Sequence, residues 1–337
     1  MSTRIRAAIV RVAALVMVGA VPAHAQSAHS ASLIAFVTNE ASNDVSVVDL
    51  DARKVVATIA VGGRARGVQA SPDGRTIYVA VSDASPTVES SVDAIVAIDA
   101  ASRRITARIE AGSDPEQLAL SVDGKRIFAA NEDAGTATAI EIGRRRTISS
   151  AVVGIEPEGV AASPDGRWVF VTAETSNSVS MIDARTAKVL GNVLVDIRPR
   201  AVAFSPDSRR AYVTAEIGGS LTLIDVRTRA VVTTLPLENG AGKPVGVAVS
   251  PDGSRVWVAN GAAGRVSVVD ARATRVLATI PVGRRPWGIA IAPGGAMVVT
   301  ANGMTNDISV IDAKTMREIG RVPVGMRPWG VAIVRAR

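Results

Sequence analysis

The chain has 337 residues, 47% of them hydrophobic, and its 38 Lys and Arg against 31 Asp and Glu give a formal charge of +7. It contains no cysteine and two histidines, His24 and His29. This composition excludes a thiol nucleophile, a disulfide framework, an ordinary zinc or haem ligand set and a Ser-His-Asp triad.

The first 25 residues have the layout of a secretory signal. Arg4 and Arg6 give a basic start, Val12–Val21 is a short apolar run, and residues 23–25 (Ala-His-Ala) form a small-x-small cleavage site. Residues 26–32 then read as a polar linker. Cleavage after Ala25 leaves 312 residues with a formal charge of +4. We therefore expect a periplasmic or secreted protein without a membrane span, since the apolar run is too short to cross a bilayer; an uncleaved anchor is the alternative.

The rest of the chain, residues 33–337, is built from copies of one unit, and residues 156–195 form a complete copy. Four short apolar runs lie in that copy: Gly159–Ala162, Trp168–Thr172, Ser178–Ile182 and Ala187–Leu190. None is long enough for a stable helix, and turn sequences such as the Ser-Pro-Asp-Gly at Ser163 separate them. The copy therefore predicts a four-stranded antiparallel meander, which needs neighbours to bury its faces.

The copies recur at a fixed spacing. A proline, which begins a Pro-x-Gly motif in four copies and a degenerate form of it in two, opens the first strand of six copies at intervals of 42 or 45 residues: Pro115, Pro157, Pro199, Pro244, Pro286 and Pro328. A second strand of the type Phe36-Val-Thr-Asn or Tyr212-Val-Thr-Ala occurs seven times. This pattern resembles the YVTN family of β-propeller repeats from Leu33 to the C-terminus. The resemblance implies an all-β fold, a seven-bladed β-propeller of four-stranded antiparallel blades, and a period of this length with four strands per unit agrees with it.

The phase of the repeat predicts how the ring closes. The repeats begin on a second strand, Leu33–Asn39, and finish on a first strand, Gly330–Val334. The last blade must therefore combine one C-terminal strand with three N-terminal strands. Such a blade joins the two ends of the chain and removes the free sheet edge between them.

The residues on either side of each Pro-x-Gly proline fall on one face of a propeller, which we call the mouth. Nine of them are basic or aromatic and are our candidate ligand-binding residues: Arg64, Arg66, Arg198, Arg200, Lys243, Arg285, Trp287, Arg327 and Trp329. The guanidinium group of arginine can form two parallel hydrogen bonds with a carboxylate or phosphate, and the tryptophan ring can stack on a planar group. These residues predict a basic, tryptophan-flanked site for an anionic ligand. The alternative is a set of solvated loop residues and packed tryptophans, with the arginines paired to acids that follow the second strands: Glu40, Glu132, Glu174 and Glu216.

Three functions remain open at this point. Among YVTN-repeat proteins, the chain resembles the secreted propeller associated with alcohol catabolism dependent on pyrroloquinoline quinone (PQQ). That resemblance implies a non-catalytic periplasmic binding or scaffold protein for a small anionic ligand or a periplasmic partner protein. A lactonase-like hydrolase is the second possibility, with Arg198, Arg200, Glu156 and Glu158 as its candidates. Single-stranded nucleic-acid binding is the third, although a charge of +4 gives it little support. We expect a monomer with no catalytic metal and no cofactor of its own.

Overall fold

The structure, a computed structural model, describes residues 32–83, 92–272 and 274–336. The expected signal, residues 1–25, and all of the linker except Ser32 lie outside these ranges. Within them the regular structure is strand, apart from one short 3-10 turn at Glu238–Gly240. No helix in this part of the chain has the length and apolar character needed to cross a bilayer.

The described strands form seven sheets of four antiparallel strands each, which confirms the predicted seven-bladed β-propeller. The innermost strands are β4 (Arg64–Ala70), β8 (Pro115–Leu120), β12 (Pro157–Ala162), β16 (Pro199–Phe204), β20 (Pro244–Val249), β24 (Pro286–Ile291) and β28 (Pro328–Arg335). The second strands are β1 (Leu33–Asn39), β5 (Thr76–Ser82), β9 (Arg126–Asn131), β13 (Trp168–Ala173), β17 (Arg210–Ala215), β21 (Arg255–Asn260) and β25 (Met297–Asn302).

The two outer layers of the ring complete each sheet. The third strands are β2 (Asp44–Asp49), β6 (Ala94–Asp99), β10 (Thr136–Glu141), β14 (Ser178–Asp183), β18 (Ser220–Asp225), β22 (Arg265–Asp270) and β26 (Asp307–Asp312). The outermost strands are β3 (Lys54–Ala60), β7 (Ile105–Ile109), β11 (Arg146–Val152), β15 (Val189–Leu194), β19 (Ala230–Pro236), β23 (Arg275–Pro281) and β27 (Arg317–Pro323). We number the blades by innermost strand, so that β4 opens blade 1 and β28 belongs to blade 7.

The hydrophobic core lies between the blades. Each pair of neighbouring blades shares one apolar cluster, as where Phe36 and Val47 of blade 7 pack with Ile77 and Val79 of blade 1. The second and third strands are buried on both faces, and the outermost strands keep one face in solvent. Small β-branched side chains suit this arrangement because facing sheets must pack closely over a large area.

The ring closes as the phase of the repeat predicts. Strand β28 pairs antiparallel with β1, in a register that runs from Leu33 opposite Arg335 to Asn39 opposite Pro328. The Ala336 N–H donates to the carbonyl of Ser32 at 2.6 Å, so the pairing extends to both ends of the described chain. The closing strand, Pro328–Arg335, is longer than the predicted Gly330–Val334, because Pro328 and Arg335 also pair with residues of β1.

One predicted strand is displaced. The fourth run of the blade 3 copy was expected at Ala187–Leu190, and this placement is wrong, because the strand is Val189–Leu194. Ala187 has a φ of 56° and donates its N–H to the carbonyl of Asp183 at 2.8 Å. Ala187 therefore closes the turn after β14. Because its left-handed backbone does not fit a strand, β15 begins only after it.

The Pro-x-Gly motif sets how closely the innermost strands approach. A Cβ at Gly159 would collide with the carbonyl oxygen of Arg200, and one at Gly288 with that of Trp329. From the second strand, Thr172 Oγ1 donates to the same Arg200 carbonyl at 3.0 Å. The backbone that carries Arg200 is thus held by the preceding blade.

Candidate functional site

The residue before each motif proline adopts a left-handed backbone. The φ values are 47° at Asp114, 56° at Glu156, 61° at Arg198, 47° at Lys243, 57° at Arg285 and 53° at Arg327. The first copy has Ala65 in place of the proline, and there Arg64 lies within β4, paired with Ser82. The missing proline therefore changes the geometry of that blade at the mouth.

The mouth contains a cavity of about 730 Å³ over the central axis of the ring. Seven of the nine candidate residues line it: Arg66, Arg198, Arg200, Arg285, Trp287, Arg327 and Trp329. Arg64 and Lys243 are not among its lining residues. The Arg64 guanidinium contacts Asp114 at 3.0 Å and the Asp83 carbonyl at 2.6 Å, whereas Lys243 is exposed beside the cavity. A separate cavity of about 140 Å³ is lined by residues of all seven innermost strands.

Arg66 lies among three carboxylates on one side of the cavity. It forms an ion pair with Glu116, contacts Glu40 at 3.2 Å and lies 3.5 Å from Glu132. Its side chain is 14% exposed, and Glu116 is fully buried. A guanidinium held by several carboxylates keeps its charge and a fixed orientation.

Arg200 occupies the equivalent position three blades further round. It forms an ion pair with Glu174, contacts Glu158 at 3.1 Å and lies 3.7 Å from Glu216. Two neighbouring arginines share these acids: Arg198 contacts Glu174 at 2.6 Å, and Arg285 contacts Glu216 at 3.1 Å. The acids that follow the second strands thus pair with the mouth arginines, as one of the two sequence interpretations expected.

The mouth is close to charge balance and is not basic. Five arginines and six glutamates make up the cavity and its ion pairs: Arg66, Arg198, Arg200, Arg285 and Arg327, with Glu40, Glu116, Glu132, Glu158, Glu174 and Glu216. The sequence-based expectation of a basic mouth left out the four acids that follow second strands, which only the alternative interpretation paired with the arginines: Glu40, Glu132, Glu174 and Glu216. Arg327 is the most exposed of the five, at 70% of its side chain, and its nearest acid is Glu40 at 3.8 Å.

Two tryptophans form another part of the cavity wall, next to Arg200, whose guanidinium lies 5.0 Å from the centroid of the Trp287 ring. The ring centroids of Trp287 and Trp329 are 6.2 Å apart, and Met304, Pro328 and Gly303 line the cavity beside them. The Arg285 guanidinium lies 4.5 Å from the centroid of the Trp287 ring, a cation–π distance. Trp329 is buried, as the packing interpretation expected, while Trp287 keeps partial exposure.

Glu132 is the residue whose importance the sequence did not indicate. Burial, together with the charge of Glu158, raises its pKa to about 7, even though Arg66 acts to lower it. In sequence Glu132 is one of four similar acids after a second strand, so nothing in the repeat distinguishes it. Among the hydrolase candidates, Glu158, Arg198 and Arg200 line the cavity, but Glu156 accepts a hydrogen bond from Thr175 outside it.

Three carboxylates in this region lie close enough to hold a metal ion. Oxygens of Asp114, Glu116 and Glu132 all lie within 4.8 Å of one another. Arg64 pairs with Asp114, and Arg66 pairs with the other two. Guanidinium groups therefore already supply the positive charge that a cation would bring to this cluster.

Comparison with known proteins gives a family match and several similar folds. The family model described as "Lactonase, 7-bladed beta-propeller" matches residues 12–148 and 195–321. A putative 6-phosphogluconolactonase from Bacteroides fragilis is 18% identical with a TM-score of 0.73, covering 91% of this chain and 99% of that one. Another from Bacteroides uniformis is 17% identical with a TM-score of 0.72, covering 90% and 100%.

A third solved structure, hydrazine synthase from Kuenenia stuttgartiensis, is 19% identical with a TM-score of 0.69, covering 80% of this chain and 95% of that one. No curated protein matches the chain in sequence. At these identities the solved structures establish a shared fold and nothing about chemistry.

Proposed function

Because the chain belongs to the seven-bladed β-propeller lactonase family, we propose that it is a hydrolase that opens lactone rings in the mouth cavity. The family match overturns the expectation of a non-catalytic periplasmic binding or scaffold protein. The resemblance to a propeller associated with PQQ-dependent alcohol oxidation is likewise unsupported. Of the three functions left open by the sequence, the lactonase-like alternative agrees best with the family.

The observation that carries this proposal is Glu132 beside Arg66 in the cavity. A carboxyl group with a pKa of about 7 is ionised in part at neutral pH and basic enough to take a proton from water. Glu132 removes a proton from a water molecule as that water attacks the lactone carbonyl carbon. The ring C–O bond then breaks, the departing alkoxide takes the proton back from Glu132, and the product is a hydroxy acid.

Arg66 supplies the positive charge that such a reaction needs. Its guanidinium is 3.5 Å from Glu132 and is fixed by its contacts with Glu116 and Glu40. A cation held in place before the reaction stabilises the oxyanion that forms when water adds to the carbonyl. Arg200 is held in the same way on the far side of the acids and orients the substrate.

A lactone panel assayed by acid release tests the proposal. Glu132→Gln should lower kcat/KM by about a hundredfold or more, in the range usual for loss of a general base. Glu141→Gln is the matched control, because Glu141 lies at the end of β10 and pairs with Arg144 at 3.2 Å. A folded wild-type protein that hydrolyses none of the lactones contradicts the function, and full activity in Glu132→Gln contradicts the role of Glu132.

A further inference from the structure

The mouth cavity has two chemically different sides. The residue after the motif proline position is charged in blades 1 to 4, in the order Arg66, Glu116, Glu158 and Arg200. In blades 5 to 7 it is Val245, Trp287 and Trp329. We call the first set the charged wall and the two tryptophans, with Met304 and Pro328, the apolar wall. A substrate that fits both walls has a polar end and an apolar end.

The charged wall is poorly suited to a phosphorylated substrate. Arg66 and Arg200 are each surrounded by three glutamates, so neither offers the two free N–H groups that bidentate binding of a phosphate requires. A phosphate group would have to displace those carboxylates or approach them against like-charge repulsion. The charged wall therefore favours an uncharged lactone beside Glu132 and Arg66, and the exposed Arg327, with Glu40 at 3.8 Å, is the cavity arginine best placed to bind an anionic group instead.

The apolar wall lacks a side chain at one position where the charged wall has a glutamate. The position after the second strand is a glutamate in blades 3 and 4, Glu174 and Glu216, but a glycine in blades 5 and 6, Gly261 and Gly303. Gly303 lines the cavity beside the tryptophans. A flat apolar group that lies against the indole rings shares Trp287 with the guanidinium groups of Arg285 and Arg200, whose central carbons lie 4.5 Å and 5.0 Å from its ring centroid.

One polar atom of the apolar wall has no hydrogen-bond partner. The Trp287 Nε1 donor is buried and makes no hydrogen bond within residues 32–83, 92–272 and 274–336. Leaving a buried N–H without an acceptor is costly, which favours a ligand that brings one. A lactone oxygen beside the apolar substituent would provide that acceptor.

We propose that the substrates of this site are uncharged lactones that carry an aromatic or similarly flat apolar substituent. The substituent lies against Trp287 and Trp329, a substrate oxygen accepts from Trp287 Nε1, and the lactone carbonyl faces Arg66 and Glu132. This substrate class rests on the proposed hydrolysis, and it differs from the phosphorylated sugar lactone for which the two Bacteroides proteins are named.

The test compares three probes on the same protein: dihydrocoumarin, unsubstituted δ-valerolactone and 6-phosphogluconolactone. We expect kcat/KM for dihydrocoumarin to exceed that for either other probe by at least tenfold. Trp287→Phe keeps an aromatic ring but removes the N–H, and should raise the KM for dihydrocoumarin about tenfold. Trp168→Phe is the matched control, because Trp168 packs beside Phe170 in blade 3 and is not a cavity residue; its KM should be unchanged.

The outcomes separate this inference from the proposed function. Preferred hydrolysis of 6-phosphogluconolactone overturns the substrate class and leaves the hydrolase proposal standing. Equal rates on all three probes, or an unchanged KM in Trp287→Phe, also overturn it. Quenching of tryptophan fluorescence by dihydrocoumarin that Trp287→Phe weakens, without any turnover, supports the ligand class and overturns lactone hydrolysis.

Discussion

At the scale of single residues, the protonation of Glu132 depends on groups from several blades. Its carboxyl group lies near Glu158 of blade 3 and Asp114 of its own blade, and both raise its pKa. Arg66 of blade 1 lowers the pKa but does not cancel the effect of burial. The same side chain in an unfolded chain has a pKa near 4.5. Folding therefore favours the protonated form of Glu132, and ionisation opposes folding.

This shift predicts a pH-dependent effect of Glu132→Gln on stability. Between the unfolded pKa of about 4.5 and the folded value of about 7, the unfolded chain loses its proton first, so stability falls as pH rises. A glutamine, which stays neutral, removes this loss of stability at high pH. We expect the variant to gain about 1 kcal/mol at pH 8, after allowance for solvent screening, and almost nothing at pH 4. Urea denaturation at pH 4 and pH 8 measures the difference in unfolding free energy between the variant and the wild type. An equal gain in stability at both pH values would contradict the raised pKa of Glu132.

The same shift predicts the pH profile of hydrolysis. A general base acts in its ionised form, so kcat/KM should rise about tenfold per pH unit below pH 7 and level off above it. Initial rates with dihydrocoumarin from pH 5 to pH 9, corrected for uncatalysed hydrolysis, provide the profile. A rate that falls with rising pH over this range would instead require a protonated acid in the rate-limiting step.

At the scale of strands, the motif glycine and the second-strand threonine connect one blade to the next. Thr38 Oγ1 donates to the Arg66 carbonyl at 2.5 Å, and Thr214 Oγ1 donates to the Val245 carbonyl at 2.5 Å. Each acceptor is the carbonyl of the residue that follows the motif proline position. The position of a mouth side chain is therefore set by a hydrogen bond from the neighbouring blade.

Gly288→Ala should separate blades 6 and 7. The new Cβ would collide with the Trp329 carbonyl oxygen and lie 3.0 Å from the Gly330 Cα, and neither backbone atom can move freely. We expect a loss of about 1–3 kcal/mol in unfolding free energy and altered tryptophan fluorescence. Gly143→Ala is the control, because a Cβ there meets nothing within 4 Å and should change stability by less than about 0.5 kcal/mol. Equal effects in the two variants would contradict the close approach.

The sequence predicts the elements better than it predicts the site, and the mouth shows why. Repeated motifs identify the position of a residue within a blade, which was enough to bring Arg66, Arg200 and Trp287 to one cavity. They do not identify its partners, which come from other copies: Arg66 contacts Glu40 and Glu132, located 26 residues before and 66 residues after it. The net charge of the cavity and the pKa of Glu132 depend on those distant partners.

At the scale of the whole molecule, stability depends on a ring in which every sheet packs on two others. The seven interfaces between neighbouring blades each contain an apolar cluster. The cluster between blades 6 and 7 includes Val331 and Ile333 of the closing strand β28, and the cluster between blades 7 and 1 includes Val334. One strand therefore contributes to both interfaces of its blade.

Deletion of residues 329–337 should open the ring. It removes the β28 residues that pair with β1 and leaves an unpaired edge along Leu33–Val37, together with the exposed sides of two apolar clusters. Burial of each lost apolar side chain contributes on the order of 1.5–3 kcal/mol, and three such side chains are lost: Val331, Ile333 and Val334. Together they amount to a large part of the unfolding free energy of an ordinary domain. We expect the melting temperature to fall by more than 10 °C, or the chain to fail to fold.

A circular permutant shows whether the stability of the ring depends on the presence of strand β28 or on its position at the C-terminal end of the chain. In this permutant a short glycine-serine linker joins residue 336 to residue 32, and the chain is opened between β27 and β28. All four strands of blade 7 are kept and become consecutive in sequence. The Ala336 to Ser32 hydrogen bond at 2.6 Å places these ends close enough for such a linker. Because the permutant retains every interface, its circular dichroism and melting temperature should resemble those of the natural chain. A truncated chain as stable as the permutant would mean that the ring does not depend on β28.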